Sequence, residues 1–341
     1  MKRIQAVWPE IISFANLQRA TARAAHNKRK RRNVALFLSR LEPELFRLQD
    51  EFESGTYRPG GLRRFTIHDP KTREICAAPF RDRVAQHAVI DVLEPLLDRS
   101  MVPQSYACRR GKGQHRAIRY AQRQLRKHAY FLKLDVRGYF ASISRSGVRA
   151  MLTQRIADER CLRLCLVMLE GAGGASAPKE GLPIGMLSSQ CWANLYLDHL
   201  DHELVDHQGS AVPDVTGYVR YMDDFALFAE TKPTLHAAHD YVRDALGLLG
   251  LELKTDATLL APARQGLPFL GFLVHRGTLR VRPANKRRIR VRLRARMKAA
   301  QRGEISEEQL ARSAAASCEH LRHANTKGMR RHWFGQHDVN G

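Results

Sequence analysis

Long apolar runs are missing from this chain of 341 residues. No stretch approaches the ~18 consecutive apolar residues of a membrane span, so no membrane insertion is expected. The N-terminal MKRIQAVWPEIISF is broken by Pro9 and Glu10, which leaves no apolar core for a signal peptide. Cysteine is sparse. The six residues (76, 108, 161, 165, 191, 318) include no Cys-x-x-Cys pair, which argues against a disulfide framework and for a reducing, cytoplasmic setting. Cys161 and Cys165, one helical turn apart, read as core thiols. Cys318, His320 and His323 are zinc-type donors, but a fourth ligand is missing at any usual spacing. Acid is scarce as well: 34 Asp and Glu face 57 Lys and Arg, a net charge of +23. Residues 257–303 hold no Asp or Glu and thirteen Lys or Arg. A surplus of that size and clustering implies a polyanionic partner, most simply nucleic acid.

What is present suffices for a large core or two to three packed subdomains, with 44% of residues hydrophobic. Leu36, Leu38, Leu41, Leu45 and Leu48 recur at near-helical spacing within a helical region over 1–60, which Gly55 and Pro59 end. Its basic run, seven Lys or Arg between 19 and 33, suits either a solvated helix face or an RNA-contacting arm. Strand-like alternation over 62–78 surrounds Asp69-Pro70. Helices are expected at 80–99, 114–128, 145–170, 188–205 and 233–250, with a Gly/Ala/Ser loop at 171–179. Short strands should fill 251–282, and basic helices the last sixty residues. There, Ile289, Leu293 and Met297 form an apolar stripe on a cationic helix. Helices mixed with separated short strands read as an α+β fold.

The most informative residues are Tyr221-Met222-Asp223-Asp224, set between apolar Tyr218-Val219 and Phe225-Ala226-Leu227-Phe228. Adjacent acids in an apolar run are expensive unless they find a partner, and a metal ion is the strongest available. Residues 218–228 are therefore expected to form a β-hairpin whose tip offers carboxylates to a divalent cation. A second acid, Asp135, ends the apolar strand Tyr130–Leu134. Three carboxylates from two strands suit Mg²⁺, which keeps substrate phosphates among its ligands. Two such ions can clamp the attacking and leaving oxygens of a phosphoryl transfer.

On these residues the chain resembles reverse transcriptases. FLKLDVRGYF (131–140), GLPIGMLSSQCWANLYLDHLD (181–201), YVRYMDD (218–224) and FLGFLV (269–274) look like that family's ordered motifs. CAAPFRDRVAQHAV (76–89) and SYACRRGKGQHRAI (105–118) look like fingers motifs of its bacterial, group II intron-like branch. The resemblance covers roughly residues 20–330. It implies a right-hand polymerase: an N-terminal helical basic extension (1–60), fingers (61–130), a palm with an antiparallel sheet (131–280, with a fingers insertion near 145–185) and a helical basic thumb (281–341). It implies two Mg²⁺ ions, with Mn²⁺ as substitute, held by Asp135, Asp223, Asp224 and the Val136 backbone, Asp224 being the third catalytic acid, which supports the site rather than always binding metal directly. Lys71 and Arg73 would hold the incoming triphosphate, or remain solvated hairpin charges. Phe140 would block a nucleotide 2′-hydroxyl, or be a core aromatic. Gly185 would admit template or nucleotide to the backbone, turn the loop into the helix, or both. Gln190 and Lys254 fall at nucleotide-side positions. Arg109, Arg110, Lys112, Tyr221, Met222, Arg288, Arg292 and Arg296 would contact template RNA and an RNA–DNA hybrid. The alternatives for the basic tail are a membrane-surface helix or a patch for a protein partner.

Ile184 stands where the family's common form has glutamine, and Gln190 where it has proline. This form, with a compact chain and a short basic thumb, resembles reverse transcriptases of diversity-generating retroelements. These copy a template-repeat RNA, misincorporate at adenines and work with a small accessory variability protein. Isoleucine cannot hydrogen-bond a nascent base pair, so Ile184 is a candidate source of infidelity, or a residue that only packs. A bacterial or phage-encoded protein is expected. Group II intron-like or phage-defence enzymes are the alternatives within the class, although no maturase or endonuclease region is expected after 341. A nucleic-acid-binding scaffold is the alternative outside it.

Overall fold

The computed structural model describes residues 3–68, 72–171, 181–206 and 213–334. Two compact units interleave along the chain. One comprises Met1–Gly111, Val136–Val212 and Asp240–Lys254; the other Lys112–Asp135, Pro213–His239 and Thr255–Gly341. The contacts thus divide the chain differently from the consecutive fingers, palm and thumb segments expected above.

In the first unit, polar side chains set where helices begin. Ser13 caps Phe14–Ala25 by accepting from Asn16 N at 3.2 Å. The buried Asn16 amide then donates to the carbonyls of Ile11 and Ala88, joining this helix to Phe80–Asp98. The helix expected over 145–170 is two, Arg145–Arg155 and Glu159–Glu170. The break has both a local and a long-range cause. Ile156 is extended, and Asp158 caps the second helix while also accepting from Val7 N and Trp8 N. Likewise the expected 188–205 helix is Leu187–Tyr196 followed by Asp198–Asp206. Cys161 and Cys165 are buried, as core thiols should be. The strands β1 (Arg63–Ile67) and β2 (Arg73–Ala77) form an antiparallel hairpin with Phe65 opposite Ile75. Lys71 and the 172–179 loop lie outside the described residues.

The second unit is built on β3 (Tyr130–Asp135), β4 (Gly217–Tyr221), β5 (Asp224–Ala229) and β6 (Leu259–Pro262), in the order β4-β5-β3-β6 with antiparallel pairing. Phe131, Leu134, Phe225 and Phe228 have no exposed surface; each such side chain contributes about 1.5–3 kcal/mol. The helix Gln114–Lys127 packs against β4, where a Cβ on Gly217 would lie 2.8 Å from Gln124 Oε1. A second sheet, β7 (Leu267–Phe269), β8 (Phe272–Val274) and β9 (Leu279–Val281), leads into the basic helix Pro283–Gln301. A capping box at Ser306 and Gln309 starts Glu307–Arg322. Ile289 and Leu293 are buried, but Met297, expected to extend their stripe, is 52% exposed. A spacing of four overshoots the helical turn, so the third member has rotated about 80° from the first. Among the described residues no helix is long and apolar enough to cross a membrane.

Candidate active site

The acids meet through strand register. Asp135, last in β3, pairs directly with Asp224, first in β5, and Tyr221 pairs with Asp224 from the other side. Direct partners in an antiparallel ladder share a face. Tyr221, Asp224 and Asp135 therefore form one row on the sheet. Val219, Ala226, Lys133 and Leu259 form the next. Asp223 lies one residue before Asp224, in the two-residue turn with Met222. Burial pushes the Asp224 carboxyl up to about 6; Lys133 opposes this, while Asp135 and Asp223 add to it. Lys133 Nζ lies 3.1 Å from Asp224 Oδ1. Among the described residues this ion pair is the contact given to that buried oxygen.

The turn itself is under tension. Met222 has φ +60°, the left-handed region that glycine usually fills at the first position of a type II′ turn. Arg220, 1% exposed, donates from Nη1 to the Met222 carbonyl at 3.1 Å and braces it from within the sheet. Among the described residues no three His, Cys, Asp or Glu side chains form a ready-made metal cage. Carboxylates brought together at one end of the sheet nevertheless fit a hard cation that takes its other ligands from water and phosphate. Neither Lys133 nor Arg220 was singled out above. The available signal was a lone base inside an apolar strand, in FLKLD and YVRY.

In the first unit a second group of expected residues converges. Cys76 N, in β2, donates to Ile184 O at 2.8 Å. Gly185 follows with φ +112°, and a Cβ there would meet Cys76 O at 2.7 Å. Leu182 N donates to Phe140 O at 2.6 Å, so the half-buried Phe140 adjoins the same segment. Its ring stands edge-on to Tyr139, centroids 6.0 Å apart. Arg73, which begins β2, is exposed. Gln190 Oε1 accepts from Cys108 Sγ at 3.9 Å. Val136 bridges Leu253, the residue before the half-buried Lys254.

Of the expected nucleic-acid contacts, Arg110, Arg288, Arg292 and Arg296 are exposed, Lys112 and Tyr221 half-buried, and Met222 buried. Arg292 also donates to Ser317 Oγ at 3.3 Å. Arg109 is a correction. Its guanidinium is 5% exposed, pairs with Asp98 and donates to the carbonyls of Asp98, Met101, Val102 and Ser105. It braces the end of Phe80–Asp98 and has no donors left for phosphate. Arg109→Ala should lower unfolding free energy by about 3–5 kcal/mol in urea titrations, since Asp98 and the carbonyls lose their partner. A change confined to RNA affinity would overturn this assignment.

Residues 67–274 match the reverse transcriptase (RNA-dependent DNA polymerase) family. Protein YkfC of Escherichia coli (strain K12) is 28% identical over 278 residues, 70% of this chain and 73% of that protein. Group II intron-encoded protein LtrA of Lactococcus lactis subsp. cremoris is 25% identical over 167 residues, 47% of this chain and 28% of LtrA. Apo telomerase from Candida tropicalis superposes with a TM-score of 0.50 at 10% identity, over 65% of this chain and 47% of the other, a likeness of fold alone.

Proposed function

The chain belongs to the reverse transcriptase family, RNA-directed DNA polymerases that depend on divalent metal, and from that premise we propose that it serves a diversity-generating retroelement, copying a template-repeat RNA into cDNA mutated at adenines. The observation that carries the polymerase chemistry is the ladder pairing of Asp135 with Asp224, with Asp223 on the adjoining turn. Asp135 and Asp223, with the Val136 backbone, would hold two Mg²⁺ ions, for which Mn²⁺ can substitute. When bound, such ions activate a primer 3′-hydroxyl and neutralise the phosphate it attacks. Asp224 supports the other two acids as a fixed negative charge.

The remaining roles follow from side-chain chemistry. Arg73, with Lys71, gives charge-assisted hydrogen bonds to a nucleotide triphosphate. The Phe140 ring fills the space a ribose 2′-oxygen needs, which selects dNTPs. Gln190 and Lys254 act on the nucleotide side. Arg110 and Lys112 grip template, with Tyr221 and Met222 beside the primer end. The exposed Arg288, Arg292 and Arg296 track the backbone of an RNA–DNA hybrid, whose A-like shape is read more than its sequence. A small accessory variability protein and a cytoplasmic setting complete the proposal.

Ile184 supports the retroelement reading. Its backbone is engaged by Cys76, while its aliphatic side chain has no group to test a base pair. Primer extension on RNA with dNTPs and Mg²⁺, followed by sequencing, should show errors concentrated opposite adenine. Ile184→Gln should reduce them about tenfold. An unchanged rate in the variant removes Ile184 from the explanation. A wild type without adenine bias favours the group II intron-like or phage-defence alternative. No metal-dependent product at all would leave a nucleic-acid-binding scaffold.

A further inference from the structure

A lysine stands inside the acid-bearing sheet. Lys133 is 8% exposed, between Leu132 and Leu134 in a strand where an aliphatic residue would pack without electrostatic cost. Burying an ammonium is unfavourable unless it is paired. The register supplies both the space and the partner. Directly opposite Lys133 is Ala226, whose small side chain leaves room for the lysine stem. The next row on the same face holds Asp224 beside Asp135, and there Nζ reaches Asp224 Oδ1 at 3.1 Å. Side-chain exposures of 11% and 21% keep most water out of the pair.

The charge count explains why a base belongs here. Asp135, Asp223 and Asp224 ionised together would put three negative charges at one end of the sheet, and Lys133 cancels one of them. The contact engages Asp224 alone among the three acids. We infer that Lys133 is a built-in counter-ion and positioning residue that holds Asp224 as a fixed charge and leaves Asp135 and Asp223 to bind the divalent cation. The inference rests on the polymerase reading above for its purpose, but its test does not require catalysis. Lys133 is too buried to serve as a phosphate contact, and its neighbours in the row, Val219, Ala226 and Leu259, offer no other anion.

Mn²⁺ binding to the full chain, without nucleic acid, separates the possibilities by electron paramagnetic resonance titration. Lys133→Met removes one positive charge from beside the acids and should bind Mn²⁺ about tenfold more tightly. The double variant Lys133→Met/Asp224→Asn restores the original net charge. If Asp224 is held rather than ligating, that variant should bind within about twofold of wild type. Unchanged or weaker binding by Lys133→Met would overturn the inference. So would a double variant that binds more than about tenfold more weakly than wild type, because Asp224 would then be a ligand in its own right. Circular dichroism reports whether each variant folds. Should the single variant not fold, the double variant, which buries no unpaired charge from this pair, decides the question alone. RNA-templated synthesis by the wild type is measured separately, so failure of the polymerase reading and failure of the lysine's role are distinguishable.

Discussion

Asp223→Ala is expected to lower RNA-templated nucleotide incorporation by at least about 10³-fold, roughly 4 kcal/mol of lost transition-state stabilisation. The fold should survive. Asp223 sits in the two-residue turn and makes no ladder pair with β3 or β4, so alanine disturbs no strand. Its charge is one of the causes that raise the Asp224 carboxyl toward 6 from an ordinary value of 3.8. A carboxyl raised in the native state destabilises that state as pH climbs from about 4 to about 6, because the unfolded chain releases the proton sooner. Removing Asp223 weakens this effect, so stability at neutral pH should hold or rise slightly, and thermal melting checks it. RNA affinity should also persist, since Arg288, Arg292 and Arg296 are exposed on a helix in residues 283–301. The slope of affinity against salt should therefore match wild type. Incorporation within tenfold of wild type would remove Asp223 from the catalytic set.

The residues that carry this expectation were legible for a physical reason. An acid at the edge of an apolar strand has few explanations: Asp135 ends β3, Asp224 begins β5, and Asp223 stands in the turn just before it. The hairpin between β4 and β5 follows from the same pattern, with turn residues between two apolar runs. Bases are harder to read. Arg109 and Arg110 are neighbours with the same chemistry, yet one is buried among carbonyls and the other is exposed. Nothing local separates them, because the carbonyls of 98–105 become acceptors only once the helix Phe80–Asp98 has ended. Lys133 was hidden for the converse reason. Its partner is ninety-one positions away, and only the β3–β5 register shows that both side chains lie on one face. The break at Ile156–Asp158 was missed because Asp158 also caps an N-terminal segment some 150 residues earlier, a contact no helical periodicity records.

The link between Ile184 and Cys76 is long-range in the same sense, and it yields the second large effect. Gly185→Ala should lower the free energy of unfolding by about 2–5 kcal/mol. Two costs combine. The φ of +112° lies where an L-residue is strained. The added methyl would also stand 2.7 Å from Cys76 O and 3.0 Å from Ile75 Cγ2. Ile75 can turn its side chain, but Cys76 O belongs to the backbone of β2. That strand is fixed by its pairing with β1 and by the 2.8 Å bond from Cys76 N to Ile184 O. Relief would have to displace the hairpin, and Arg73 with it. Gly61→Ala provides the contrast, since no heavy atom lies within 4 Å of its added Cβ; stability there should change by less than about 0.5 kcal/mol. Urea titrations of the two variants separate the readings of Gly185. If glycine is needed only for a nucleotide or template to approach, Gly185→Ala should unfold like wild type and lose affinity alone. If it seats the loop against β2, stability falls first, and the KM for dNTP rises because Arg73 is no longer held.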